Sequence, residues 1–137
     1  TELSPNQGVF FDGQVFDAYA FVSKLVRTAK SSIILIDNYV DDTVLTLLSK
    51  KQEEVEVIIL TKNISKQMSL DVQKANMQYP KIQVKAFQKA HDRFLILDNK
   101  EVYHIGASLK DMGKKWFAFS KMEADSVTIL KSIKELI

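Results

Sequence analysis

Three short apolar runs do most to limit how this chain can fold. They are Ser32-Ile33-Ile34-Leu35-Ile36, Val55-Glu56-Val57-Ile58-Ile59-Leu60 and Phe94-Leu95-Ile96-Leu97, rich in β-branched residues and almost free of polar breaks. Runs of this length and composition are strands, and strands that do not alternate apolar with polar are covered on both faces. A sheet buried on both sides needs helices to bury it, and the segments between the runs supply them. A helix is expected from Asp12 or Gly13 onward, with Val15, Phe16, Tyr19, Phe21, Val22, Leu25, Val26 and Ala29 wrapping much of its girth. The order helix, strand, helix, strand, helix, strand, then two or three adjacent strands, gives an α/β sandwich with a mixed sheet.

The remaining elements follow from local signals. Residues 1–12 read as an irregular lead-in. Asp41 or Asp42 can cap a short helix Thr43–Lys50, and a polar-faced helix Ser65–Tyr79 must stop before Pro80. Ile82–Phe87 alternates and reads as a half-exposed strand. After the strand Arg93–Leu97 come a turn at Asn99-Lys100, a strand Glu101–Ile105 and a Gly- and Lys-bearing loop over 106–115. Trp116–Phe119 reads as a last strand, and Asp125 or Ser126 as the cap of a terminal helix reaching Leu136.

A chain of 137 residues is most economically one domain, 1–137, with one substantial core. It begins at Thr1 rather than methionine, so a fragment of a longer protein is expected. No segment approaches the ~18 apolar residues of a membrane span, no signal peptide is visible, and the absence of cysteine suits a reducing, cytoplasmic compartment. The net charge of +2 hides an asymmetry: residues 1–80 carry eight Lys/Arg against ten Asp/Glu, and residues 81–121 carry nine against four. A locally basic surface attracts anions and phosphate backbones.

That basic stretch contains His91-Asp92-Arg93-Phe94-Leu95-Ile96-Leu97-Asp98. His91 and Arg93 stand two apart, so on a strand they share a face. A proton-exchanging imidazole beside a permanent cation suits phosphate chemistry. Polar groups at the ends of a buried strand must be paired or functional.

His91-x-Arg93-xxxx-Asp98, followed by Gly106-Ala107-Ser108, resembles the His-x-Lys-xxxx-Asp motif of the phospholipase D superfamily, the HKD motif, with its Gly-Ser-x-Asn turn a few residues on. The whole chain resembles the small single-motif, nuclease-type members, and in particular the domain behind the DNA-binding region of phage-antirepressor-type bacterial proteins. It departs from the motif in two places: arginine stands where the family has lysine, and the turn carries one extra residue and lacks asparagine. The resemblance implies a three-layer sandwich whose mixed sheet is mostly parallel. It implies a phosphodiester-binding domain, or a metal-independent phosphodiesterase or nuclease needing no cofactor, with nucleic acid (DNA foremost) as partner and no membrane.

In that family the histidine attacks phosphorus and a second histidine protonates the leaving oxygen. With one motif copy, the second must come from another chain, which implies a homodimer. On the same resemblance His91, Arg93 and Asp98 form the catalytic set, with Asp98 supporting a histidine. Arg93, Ser108 and Lys110 are the expected phosphate ligands, and no metal ligands are expected. Asp98-Asn99 also reads as an ordinary turn. The other histidine, His104, reads as structural. Asp37, Asp41 and Asp42 read as helix-capping residues in preference to a metal site. Lys114-Lys115-Trp116-Phe117 mixes cations with aromatics as single-strand binders do, but the aromatics are expected in the core. The rival reading is a catalytically weak module that binds nucleic acid or dimerises a larger protein.

Overall fold

The computed structural model describes residues 6–122 and 126–137. Seven strands form one sheet: β1 (Gln7–Phe10), β2 (Ser32–Ile36), β3 (Glu56–Thr61), β4 (Ile82–Ala86), β5 (Arg93–Leu97), β6 (Glu101–Ile105) and β7 (Phe117–Met122), in the spatial order β1-β7-β6-β5-β2-β3-β4. The helices α1 (Val15–Thr28), α2 (Asp42–Leu48) and α3 (Lys66–Gln78) pack on one face, and α4 (Ser126–Ser132) on the other. The architecture is the expected α/β three-layer sandwich.

The expectation of mostly parallel pairing gives way to a more mixed sheet. β2, β3 and β4 are parallel, joined through α2 and α3, whereas the other four pairings are antiparallel. The connections dictate this. Parallel neighbours need a long crossover, and β5 is separated from β6 by a turn and β6 from β7 by a loop with only one short 3-10 turn, Leu109–Asp111.

Chain positions on alternate sides of the sheet account for two cores. Ile33 and Leu35 of β2, Val57 and Ile59 of β3 and Leu95 and Leu97 of β5 face α1, α2 and α3. Ile34, Ile36, Leu60, Ile96 and Val102 face the side covered by Ile129, Leu130 and Ile133. This double burial is why the central strands lack polar breaks.

β2, β5 and β6 fall where the sequence places strands, and Asp41 caps α2, its carboxylate accepting from the amides of Thr43 and Val44. Ser65 caps α3 through the Met68 amide. The lead-in is not wholly irregular, because Gln7–Phe10 pairs with β7 as an edge strand. Asp12 does not cap α1; Gln14 occupies that position without a side-chain cap. Asp125, one of the two caps expected for α4, lies outside the described residues.

The turn joining β5 to β6 centres on Asp98 and Asn99, the second of the two turn readings, with φ of 56° and 54°. These are left-handed values that Asp and Asn tolerate best after glycine. The Asp98 carboxylate reaches across to the start of β2, accepting from the amides of Lys30, Ser31 and Ser32 at 2.7–3.2 Å and from the Ser31 hydroxyl at 3.0 Å. Partial burial acts to raise its pKa, but these donors outweigh it and hold the carboxyl below the usual range. A depressed folded pKa contributes stability above the unfolded value and loses it as pH falls through the folded one. Asp98→Asn keeps the turn's backbone preference and removes the charge. It should lower unfolding free energy by about 2 kcal/mol near neutral pH. In urea titrations the gap to wild type should close as pH drops below the ordinary carboxylate range.

Candidate functional site

The antiparallel return of β5 and β6 gathers chemistry at one end of the sheet. Ile36 pairs with Phe94, and Arg93 with Ile105, so the end of β2, the start of β5 and the end of β6 coincide. β7 begins there, and β1 finishes there. This is also where the parallel strands β2, β3 and β4 finish, the end at which open α/β sheets bind ligands.

His91 is exposed in the loop entering β5, and Arg93 is half-buried at the first position of the strand. The loop is tied to the end of β2 by Asn38, whose side-chain amide donates to the Ala90 carbonyl at 2.8 Å. Among the described residues Arg93 has no carboxylate within 4.0 Å. The acidic neighbours it could have paired with are engaged elsewhere. Asp92 lies 3.3 Å from Nε2 of His104, and Asp98 holds the amides beneath β2. His104 thus sits on the opposite face of the sheet from Arg93, edge-on to Phe94.

Arg93, Gly106, Ala107, Ser108, Asp111, Lys114, Lys115 and Trp116 line an open cleft of about 430 Å³. Its floor depends on a residue that the sequence disguises. Asp37, read as a cap, is completely buried. Its carboxylate accepts from the amides of Tyr39 at 3.0 Å and Leu109 at 2.9 Å, and the Ser108 hydroxyl lies 3.0 Å from both carboxylate oxygens. That hydroxyl is also 2.8 Å from the Tyr39 carbonyl. A hydroxyl has one proton, so it serves one of these acceptors at a time. Burial pushes the Asp37 carboxyl above its usual range, and the amides of Leu109 and Tyr39, the Ser108 hydroxyl and the nearby Arg93 charge only partly offset this. A protonated Asp37 could donate to Ser108, freeing the hydroxyl for Tyr39 and satisfying every group.

The site residues expected from sequence are therefore divided. His91, Arg93 and Ser108 lie toward the same end of the sheet, Arg93 and Ser108 lining the cleft and His91 in the exposed loop before β5. Asp98 lies at the other end of β5, five residues from Arg93, or roughly 17 Å along a strand. It does not reach His91 of its own chain. Ser108 lines the cleft, but it is 3% exposed and its Oγ turns inward to Asp37 rather than outward to an incoming phosphate. Lys110 is drawn to Asp111 at 3.7 Å, and the lysines lining the cleft are instead Lys114 and Lys115. Gly106 is required by contact: a Cβ there would lie 2.9 Å from the Ala118 carbonyl oxygen of the neighbouring strand. Phe117 enters the core as expected, whereas Trp116 stays 68% exposed. No group of three or more potential metal ligands occurs among the described residues.

No protein-family model and no curated protein matches the sequence. Solved structures do match. NucT from Helicobacter pylori, a phospholipase D-superfamily nuclease, superposes with a TM-score of 0.63 at 17% identity, covering 94% of this chain and 91% of that one. The chain shares the fold of NucT. TrmBL2, an archaeal chromatin protein that binds DNA, gives 0.64 at 15% identity, and polyphosphate kinase from Porphyromonas gingivalis gives 0.59 at 16%. The chain spans 54% and 23% of those two proteins. At these identities the likeness is one of fold. Within this fold, the His91–Asp98 segment lies with its histidine in the loop before the cleft end of β5 and its aspartate at the far end.

Asp37→Ala would leave the Leu109 and Tyr39 amides and the Ser108 hydroxyl without their acceptor, and should destabilise the fold by about 3 kcal/mol or more. Asp37→Asn, which can keep most of the bonds, should cost far less. A raised folded pKa contributes stability at low pH that is lost as pH rises through it. Wild type should therefore weaken relative to Asp37→Asn as pH rises, a trend readable in urea titrations and opposite in sign to that of Asp98.

Proposed function

We propose that this domain binds the phosphodiester backbone of nucleic acid, DNA foremost, and that its cleft is half of a metal-independent phosphodiesterase site completed by a second copy of the chain. The observation that carries the reading is Arg93: a half-buried guanidinium without a carboxylate partner among the described residues, at the cleft end of β5 and two residues after His91. An unneutralised arginine presents a planar fork suited to two phosphate oxygens. The fold's likeness to NucT and to TrmBL2 supports a nucleic-acid ligand.

In the proposed reaction a ring nitrogen of neutral His91 forms a bond to phosphorus as the bond to the leaving oxygen breaks. His91 of the second copy, protonated, gives that oxygen its proton. Water then attacks phosphorus, passes a proton to the second histidine, and the phosphorus–nitrogen bond breaks to release the phosphomonoester and free His91. Arg93 binds the non-bridging oxygens throughout. Asp98 acts at a distance, by fixing the β5–β6 turn and hence the strand that aims Arg93.

A binding module without turnover is the second reading, and Ser108 favours it. With its hydroxyl turned toward Asp37, the turn offers the phosphate one donor fewer than the family pattern implies.

Hydrolysis of bis(p-nitrophenyl) phosphate and of DNA, both in excess EDTA, decides between them. An active site of this kind should lose about 100-fold or more of its rate in His91→Ala, with the protein sedimenting as a dimer. Rates equal to buffer in wild type and variant, with salt-sensitive DNA binding intact, would leave the binding module. In either case Arg93→Ala should weaken DNA binding and flatten the slope of log affinity against log salt by about one.

A further inference from the structure

Trp116 is the chain's single tryptophan, and it sits where burial would be expected but is avoided. The next residue, Phe117, enters the core, while Trp116 remains 68% exposed on the wall of the cleft. An exposed indole is ordinarily free to sample rotamers, but this one is fixed. Its Nε1 donates to Asp12 at 2.8 Å, and its ring meets Phe11 edge to face, with centroids 4.6 Å apart and planes at 88°.

The loop carrying it is fixed as well. The Gly13 amide donates to the Gly113 carbonyl at 2.9 Å, tying residues 11–15 to the segment before β7. Gly113 has φ of 82°, and a Cβ there would fall 2.5 Å from Cα of Val15, so only glycine allows the two backbones to approach. The indole's only donor is engaged by Asp12, and Phe11 can cover at most one of its faces. What remains to offer a ligand is a flat apolar surface held in a set orientation.

Its neighbours in the cleft define the ligand. Arg93, Lys114 and Lys115 share the lining, and among the described residues neither Arg93 nor Lys115 has a carboxylate within 4.0 Å. Lys114 is shared with Asp111 at 3.2 Å. A pre-set aromatic plane beside unneutralised cations matches a polymer that alternates phosphates with aromatic rings. The bases of a duplex are stacked on one another and cannot offer a face to a side chain, whereas those of a single strand can.

We infer that Trp116 is a base-stacking platform and that the cleft takes single-stranded nucleic acid in preference to duplex, with Asp12 and Phe11 as its positioning residues. This rests on the nucleic-acid reading above and adds the strandedness of the ligand. The competing occupant, a second copy of the chain, draws on the exposed Val15 and Phe16 near the start of α1. The cations beside Trp116 favour the polyanion.

The lone tryptophan makes the test direct. A dT15 or U15 oligonucleotide should quench intrinsic fluorescence saturably, whereas an abasic 15-mer with the same phosphates should bind without quenching. By fluorescence anisotropy Trp116→Ala should weaken dT15 binding about 5- to 100-fold, the range of one base–aromatic stack, and change binding of a 15-base-pair duplex less than about twofold. Trp116→Phe, which keeps a ring, should restore most of the loss. If dT15 binds while the indole stays unquenched, or if Trp116→Ala weakens duplex and single strand alike, the stacking role falls and the nucleic-acid reading stands. If neither polymer binds at all, both fall together. If Trp116→Ala instead converts a dimer to a monomer in sedimentation and leaves dT15 binding unchanged, the surface belongs to a second copy.

Discussion

The carboxylate of Asp37 fixes the relation between the sheet and the cleft. β2 lies at the centre of the sheet, packed on both faces, and its last apolar residue is followed at once by a fully buried acid. A carboxyl group in such a place is destabilising unless its oxygens are met by donors. Those donors come from two places: Tyr39, just beyond the strand, and the Ser108-Leu109 segment after β6, more than seventy residues on. Meeting the acid's requirements therefore forces the turn after β6 against the end of β2. With that turn fixed, Gly106 and Ala107 take their places beside Arg93, and the chain proceeds through Lys114 and Lys115 to β7. Removing the acid alone would unbind the turn, whereas removing a surface lysine would only alter the cleft's charge.

What the sequence made legible follows the same physics. Strands buried on both faces announce themselves by uninterrupted apolar runs, so β2 and β5 were readable to the residue, as was β6 on the far side of the turn. β1 was not, because Gln7-Gly8-Val9-Phe10 is short, mixed in polarity and paired on one side alone, where β7 decides its conformation. Asp37 was misread because Asp41 and Asp42 follow closely ahead of a helix and one acid does cap it. The usable signal was that an acid directly following a doubly covered strand has no solvent to turn to. Ser108 was read as the counterpart of the turn serine in the family the motif resembles, but no pattern in sequence reports which way a hydroxyl points. Trp116 was assigned to the core with Phe117 because alternation alone cannot reveal an indole fastened at the surface by an acid a hundred residues earlier.

Asp37 and Asp98 show how one residue type takes opposite roles at opposite ends of the sheet. Asp98 is partly exposed, receives three backbone amides and a hydroxyl, and is held ionised by them. Asp37 receives fewer donors in a place from which water is excluded, and burial holds its pKa above the usual carboxylate range. The first acts as a structural clamp, and the second is a buried acid adjoining the cleft. The two lie at opposite ends of antiparallel neighbours, so the β2–β5 pair is secured at its base and chemically sensitive at its mouth.

That sensitivity has a direction. Arg93 is the one nearby charge that favours an ionised Asp37, by less than the Leu109, Tyr39 and Ser108 hydrogen bonds do, and it approaches no carboxylate within 4.0 Å among the described residues. A phosphate held by Arg93 would compete with Asp37 for the same positive charge. By linkage, whatever weakens the pull of Arg93 on Asp37 raises the acid's pKa further, and protonating Asp37 leaves Arg93 more fully available to the phosphate. The proton and the anion then favour each other's binding. With Asp37 neutral, its proton satisfies Ser108, the serine satisfies Tyr39, and the turn holds its place without the ion. The buried acid can thus support the cleft in either protonation state.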